Sequence, residues 1–170
     1  FDKESTGGGI TIDGGAHWIR PLRIWFNDVI QTMAKFAYPH PGMDGESLSQ
    51  ALFLFDNEIS CIFEGILTER TCFSPEPPFR ITGTLGEIVV GSDGLGVYLY
   101  NQDFPEGEKV LKNHGYISSF YYQFDDFYQC TRNANREPTA SAEYSLGEMK
   151  TALAMEESDQ KGQWIQIQYS

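Results

Sequence analysis

Asp13 and His17 stand four residues apart, directly after the run Gly7-Gly8-Gly9, and Arg20 follows three residues later. On an α-helix an i, i+4 pair lies on one face within side-chain reach, where a carboxylate can orient or charge-stabilise an imidazole that titrates near neutral pH. The chemistry this spacing allows is general acid/base proton transfer. At about 100° per residue Asp13, His17 and Arg20 fall in one narrow stripe, with Trp18, Leu22, Trp25 and Phe26 gathered on the opposite side. The helix is therefore expected to pack by its aromatic side and to present the Asp-His-Arg stripe. Pro21 cannot donate a backbone hydrogen bond and crowds the carbonyl of His17, so the turn is expected to kink, or to open a new helical piece at Arg20 or Pro21.

The rest of the chain must position this stripe. With 170 residues, 41% of them apolar, it is expected to form one domain able to bury a continuous core. No stretch approaches the roughly 18 to 20 apolar residues of a membrane span, and the start lacks the basic and apolar regions of a signal peptide. The first residue is Phe1, and a hydrophobic segment follows almost at once, so the chain is expected to be cut from a longer protein. A net charge of −12 excludes the basic footprint that nucleic acid or an anionic membrane requires. Cys61, Cys72 and Cys130 are too few and too irregular for a disulfide framework or a zinc motif. Together with the absence of an Asn-x-Ser/Thr acceptor, this predicts a cytoplasmic protein, with Cys61 a small buried hydrophobe.

Residues 28–40 read as a strand ending in a turn at Pro39-His40-Pro41-Gly42. Residues 47–55 and 59–70, separated by Asp56-Asn57-Glu58, read as an antiparallel hairpin. Leu52 and Leu54 point to one face and Ala51, Phe53 and Phe55 to the other, so both faces of this sheet are expected to be covered. Helices of the chain would cover one and a second subunit the other; a sandwich closed within one chain is the alternative. After the link Ser74-Pro75-Glu76-Pro77-Pro78, short strands at 79–84, 86–90 and 94–100 form a meander, with 109–111 one more. Helical spacing then runs from Ile117 to Arg132, its aromatic stripe read as core, and again from about Ser145 to Lys161, stopping at Gly162. Trp164, Ile165 and Ile167 make a last strand. No G-x-G-x-x-G, P-loop or G-x-S-x-G elbow occurs, so a redox cofactor would have to be held elsewhere.

Three ordered motifs resemble the carboxy-terminal domain of the glucose-fructose oxidoreductase, inositol dehydrogenase and rhizopine catabolism (Gfo/Idh/MocA) family. Gly7-Gly8-Gly9 through Asp13-x-Gly15-x-His17 is similar to that family's G-G-G…D-x-G-x-H signature. Arg80-Ile81-Thr82-Gly83-Thr84-Leu85-Gly86-Glu87-Ile88 is similar to its R-i-x-G-T-x-G-x-i segment, and residues 143–166 to its terminal helix and last strand.

The resemblance implies an α+β fold, an open, mainly antiparallel β-sheet with helices packed on one face, like that of dihydrodipicolinate reductase. It implies a substrate-binding and oligomerisation domain spanning 1–170, behind an upstream Rossmann domain that binds NAD or NADP. The reaction would be oxidation or reduction of the CH-OH group of a sugar, polyol or dihydrodiol-type substrate. His17 would be the general acid/base and Asp13 would position the hydroxyl or support the imidazole, with a lysine from an E-K-P motif in the first domain sharing the relay. This chain alone would then be inactive, and a homo-oligomer would form through the sheet face. Many members carry an acidic residue where this chain has Arg20, which would instead favour an anionic substrate group; an ordinary ion pair to an acidic residue is the other reading of Arg20. A non-catalytic ligand-binding or assembly module that keeps the fold is the rival reading of the whole. A metal site on Asp13 and His17 would need His40 or His114, neither at motif spacing.

Overall fold

The computed structural model describes residues 2–67, 79–91, 96–112 and 116–169. The Ser74–Pro78 link, Cys72 and His114 lie outside them. The chain divides into two compact units, residues 1–71 with 140–170, and residues 72–139.

In the first unit a short helix α1 (Lys3–Thr6) ends at Gly7, whose φ of 78° lets the chain turn into the glycine run. A π-helical segment, Thr11–Gly15, leads into α2 (Ala16–Phe26). Strands β1 (Val29–Ala37), β2 (Leu48–Phe55) and β3 (Ser60–Ile66) follow, and the chain returns through α4 (Ala142–Lys161) and β8 (Ile165–Gln166). The sheet order is β3-β2-β1-β8, antiparallel throughout. The expected hairpin is β2–β3, in the register Leu52↔Ile62 and Ala51↔Phe63.

The inner face carries Thr32, Ala34, Phe36, Ala51, Phe53, Phe55 and Phe63, all buried, against Ile19 and Leu22 of α2 and Ala152 and Met155 of α4. The outer face carries Leu52 and Ile62, the latter 86% exposed. The two-faced apolar pattern is therefore real, and within this chain helices lie on one side of it. Cys61 is half-buried, and burial pushes its thiol up to about 11.

Because β8 pairs only with Gln31 and Thr32, the rest of the β1 edge would be left with unpaired N–H groups. Helix α4 fills that gap: Ala34 N–H donates to Ser158 Oγ at 2.9 Å and Phe36 N–H to Asp159 Oδ1 at 3.0 Å. The helix begins three residues earlier than its periodicity indicates because Ser141 caps it, accepting from the Tyr144 N–H, and it stops at left-handed Gly162 as expected.

The second unit is a meander of β4 (Phe79–Gly83), β5 (Gly86–Val90), β6 (Val97–Tyr100) and β7 (Glu108–Leu111), followed by α3 (Tyr116–Arg132). Its strands pair in chain order, so the sheet is built from local contacts. The fold is α+β and antiparallel as anticipated, but the strands form two four-stranded sheets rather than one. The aromatic stripe of α3 departs from the core assignment: Ile117, Tyr121, Phe124 and Tyr128 are all more than half exposed. Periodicity establishes that such residues share a face, and says nothing of what lies against it.

Candidate active site around His17

The glycine run is held in place by Glu46, a residue the sequence did not single out. Its backbone carbonyl accepts from Ile10 N–H at 2.8 Å, and its buried carboxylate accepts from Gly9 N–H at 3.1 Å and Thr11 N–H at 3.0 Å. The two backbones meet so closely that a Cβ on Gly9 would run into the backbone and carboxylate of Glu46. A Cβ on Gly45 would come within 2.6 Å of Gly9 Cα. Glycine is required at both positions by contact, across more than thirty residues of chain. No local periodicity marks Glu46; its one signal is its place after Gly45.

The same clamp decides what the glycine run can hold. A phosphate cradle needs backbone N–H groups aimed at an anion, and those of Gly9 and Thr11 already serve the Glu46 carboxylate. The segment does not fit the phosphates of a dinucleotide. It anchors the start of α2 instead.

Downstream of the clamp, Asp13 is exposed in the π-helical segment, and His17 is exposed as the second residue of α2. A π turn is wider than an α turn and recurs at functional sites. Among the described residues no hydrogen bond or ion pair joins Asp13 to His17, so the two are neighbours along a helical surface rather than a bonded dyad. The expected irregularity is present one turn before its predicted place: Pro21 sits inside an uninterrupted α2, and the break in α-helical geometry falls at Thr11–Gly15. The carbonyl of His17 receives no N–H from Pro21.

The packed face of α2 also differs from expectation. Ile19, Leu22 and Arg23 are buried, whereas Trp18 and Trp25 are 47% and 42% exposed. The helix is rotated away from its aromatic side because a charged residue, Arg23, goes inside. Only 4% exposed, its guanidinium donates to Asp28 Oδ1 at 2.6 and 3.1 Å and to the Tyr144 carbonyl at 2.6 Å. It stacks 4.4 Å from the centre of the Tyr144 ring and 5.3 Å from that of Tyr169. Gly147 leaves the space on α4 across which this guanidinium lies. A buried cation is tolerable where its donors are met in this way, and hydropathy alone cannot anticipate it.

Arg20 is tied to the same helix. Its Nη1 donates to Ser145 Oγ at 3.0 Å and to Glu148 at 3.1 and 3.3 Å, and Glu148 lies 3.8 Å from Arg23 Nη1. Burial pushes the Glu148 carboxyl above the usual range, against the pull of Arg20, Arg23 and His17. The structure thus brings His17, Arg20 and Glu148 into one electrostatic group at the α2–α4 contact. Among the described residues no group of three His, Cys, Asp or Glu side chains could hold a metal ion.

The fold has many counterparts. An oxidoreductase from Agrobacterium radiobacter in complex with NAD+, L-tartaric acid and magnesium superposes with a TM-score of 0.77 at 18% identity, over 92% of this chain and 48% of that one. An NAD-binding oxidoreductase from Klebsiella pneumoniae gives 0.77 at 15% identity, over 98% and 52%. The WlbA dehydrogenase from Bordetella pertussis, in complex with NADH and UDP-GlcNAcA, gives 0.64 at 14% identity, over 95% and 46%. The chain spans about half the length of these proteins. No curated protein sequence matches it. The family model "Oxidoreductase family, C-terminal alpha/beta domain" matches residues 2–167, and the chain belongs to that Gfo/Idh/MocA oxidoreductase family as its C-terminal domain.

Proposed function

We propose that this chain is the substrate-binding and catalytic half of an NAD(P)-dependent oxidoreductase acting on the CH-OH group of a sugar, polyol or dihydrodiol-type substrate. The observation that carries the reading is His17, exposed at the head of α2 and held there by the Glu46 clamp. In this reading the imidazole takes the proton of a substrate hydroxyl in oxidation and returns it in reduction, and Asp13 positions that hydroxyl from the preceding turn. The nicotinamide, bound by an upstream Rossmann domain, supplies the hydride acceptor or donor. The solved relatives in complex with NAD+ or NADH support a cofactor of this kind. A lysine of that first domain would share the relay. Arg20 would receive an anionic substrate group in competition with Glu148.

Replacing His17 by Ala in the full-length protein is expected to lower kcat by about 10²-fold or more, the usual contribution of a general acid/base, with cofactor affinity unchanged. Unchanged turnover would remove the assignment. The ion pair of Arg20 with Glu148 favours a second reading, a non-catalytic ligand-binding or assembly module in which the stripe serves only packing. An upstream sequence without the glycine-rich turn and the E-K-P lysine decides for that second reading.

A further inference from the structure

We infer that Glu148, on α4, is the positioning residue of the His17 site: it anchors Arg20 one turn beyond His17 and sets the balance of charge behind the imidazole. The inference rests on the acid/base reading of His17 and extends it to a carboxylate far away in the chain. Asp13, the acidic residue nearest in sequence, makes no bond to His17 among the described residues. Glu148 is bonded to the guanidinium of Arg20, is 3.8 Å from that of Arg23, and is itself 7% exposed. Buried this deeply, it acts on neighbouring charges with less screening than a surface carboxylate would.

The charged and titratable groups here come from every element packed at the contact. The π segment supplies Asp13; α2 supplies His17, Arg20 and Arg23; and the turn before β1 supplies Asp28. Helix α4 supplies Tyr144 and Glu148, and the C-terminal tail supplies Tyr169. Arg23 is already matched by Asp28. Glu148 is therefore the group that offsets Arg20, and the protonated form of His17 depends on which of the two charges prevails.

The test is a histidine titration of this chain by NMR. Only three histidines are present, and the His17 signal is the one lost in His17→Ala. Glu148→Gln keeps shape and an acceptor oxygen for Arg20 but removes the charge; it is expected to lower the His17 titration midpoint by about 0.5 pH unit. Arg20→Gln removes the opposing charge and is expected to raise the midpoint by a similar amount. Shifts of opposite sign are the signature, because a loss of packing would not reverse direction between the two variants. Midpoints that stay put or move together overturn the inference. Should Glu148→Gln fail to fold, Arg20→Gln decides alone, a raised midpoint supporting the inference and any other result overturning it. The titration needs no substrate or cofactor, so its failure is separable from that of the acid/base reading, which stands or falls on turnover of His17→Ala in the full-length protein.

Discussion

Glu46 and Gly9 carry the strictest requirement at the residue scale. The carboxylate of Glu46 satisfies two backbone donors that burial would otherwise leave unmet, so Glu46→Ala exposes the cost of both. We expect a loss of about 3 kcal/mol in urea unfolding, since hydrogen bonds to a charged acceptor contribute about 1.5–3 kcal/mol each and adjacent ones are not additive. Gly9→Ala is expected to cost about 3 kcal/mol by the opposite route, overpacking against Glu46, and the two effects should not add in the double variant. At this scale the sequence displayed the glycines and His17 but not their partner. Glu46, Arg23 and Glu148 act through contacts between distant segments, and none of them leaves a local pattern.

At the scale of elements, α2 and α4 show how helix rules and tertiary contacts divide the work. Pro21 in the interior of α2 forfeits a hydrogen bond, at a cost of up to about 3 kcal/mol relative to Ala. Pro21→Ala is expected to raise stability by about 1–2 kcal/mol while lowering activity of the full-length protein, because the new N–H engages the His17 carbonyl. Equal or greater activity would show that this carbonyl has no part in the site. The seam between α4 and the β1 edge depends on pH through Asp159. Burial works to raise its carboxyl, but Lys35 and the Phe36 N–H outweigh it and hold the carboxyl below the usual range. A depressed native value means that the unfolded state binds the proton more readily. The contribution is therefore full above the ordinary aspartate value, about 3.9, and is lost as pH falls through the native value. Asp159→Ala should cost about 1–2 kcal/mol at pH 7 and progressively less below about pH 4 in denaturation curves.

At the scale of the whole molecule, the outer face of the first sheet leaves Leu52 and Ile62 uncovered within the chain. The proposal that a second copy covers this face predicts that Ile62→Asp in the full-length protein lowers the oligomeric state in sedimentation, with little change in melting temperature because the side chain is 86% exposed. An unchanged assembly would place the interface elsewhere. What the sequence alone determined is the sequence of elements, the antiparallel α+β class, the alternation that sorts Ala51, Phe53 and Phe55 from Leu52, and the motifs that mark the family. These follow from local propensity and from periods of two and 3.6 residues, which are written into neighbouring positions. Only the tertiary structure decided that α2 turns Arg23 inward and its tryptophans outward, that Glu46 closes the glycine run, and that Glu148 rather than Asp13 bonds into the His17–Arg20 stripe. Each of these depends on burying a charge or an unpaired donor against a partner many residues away. The energy of such a contact belongs to the pair, and neither residue reveals it alone.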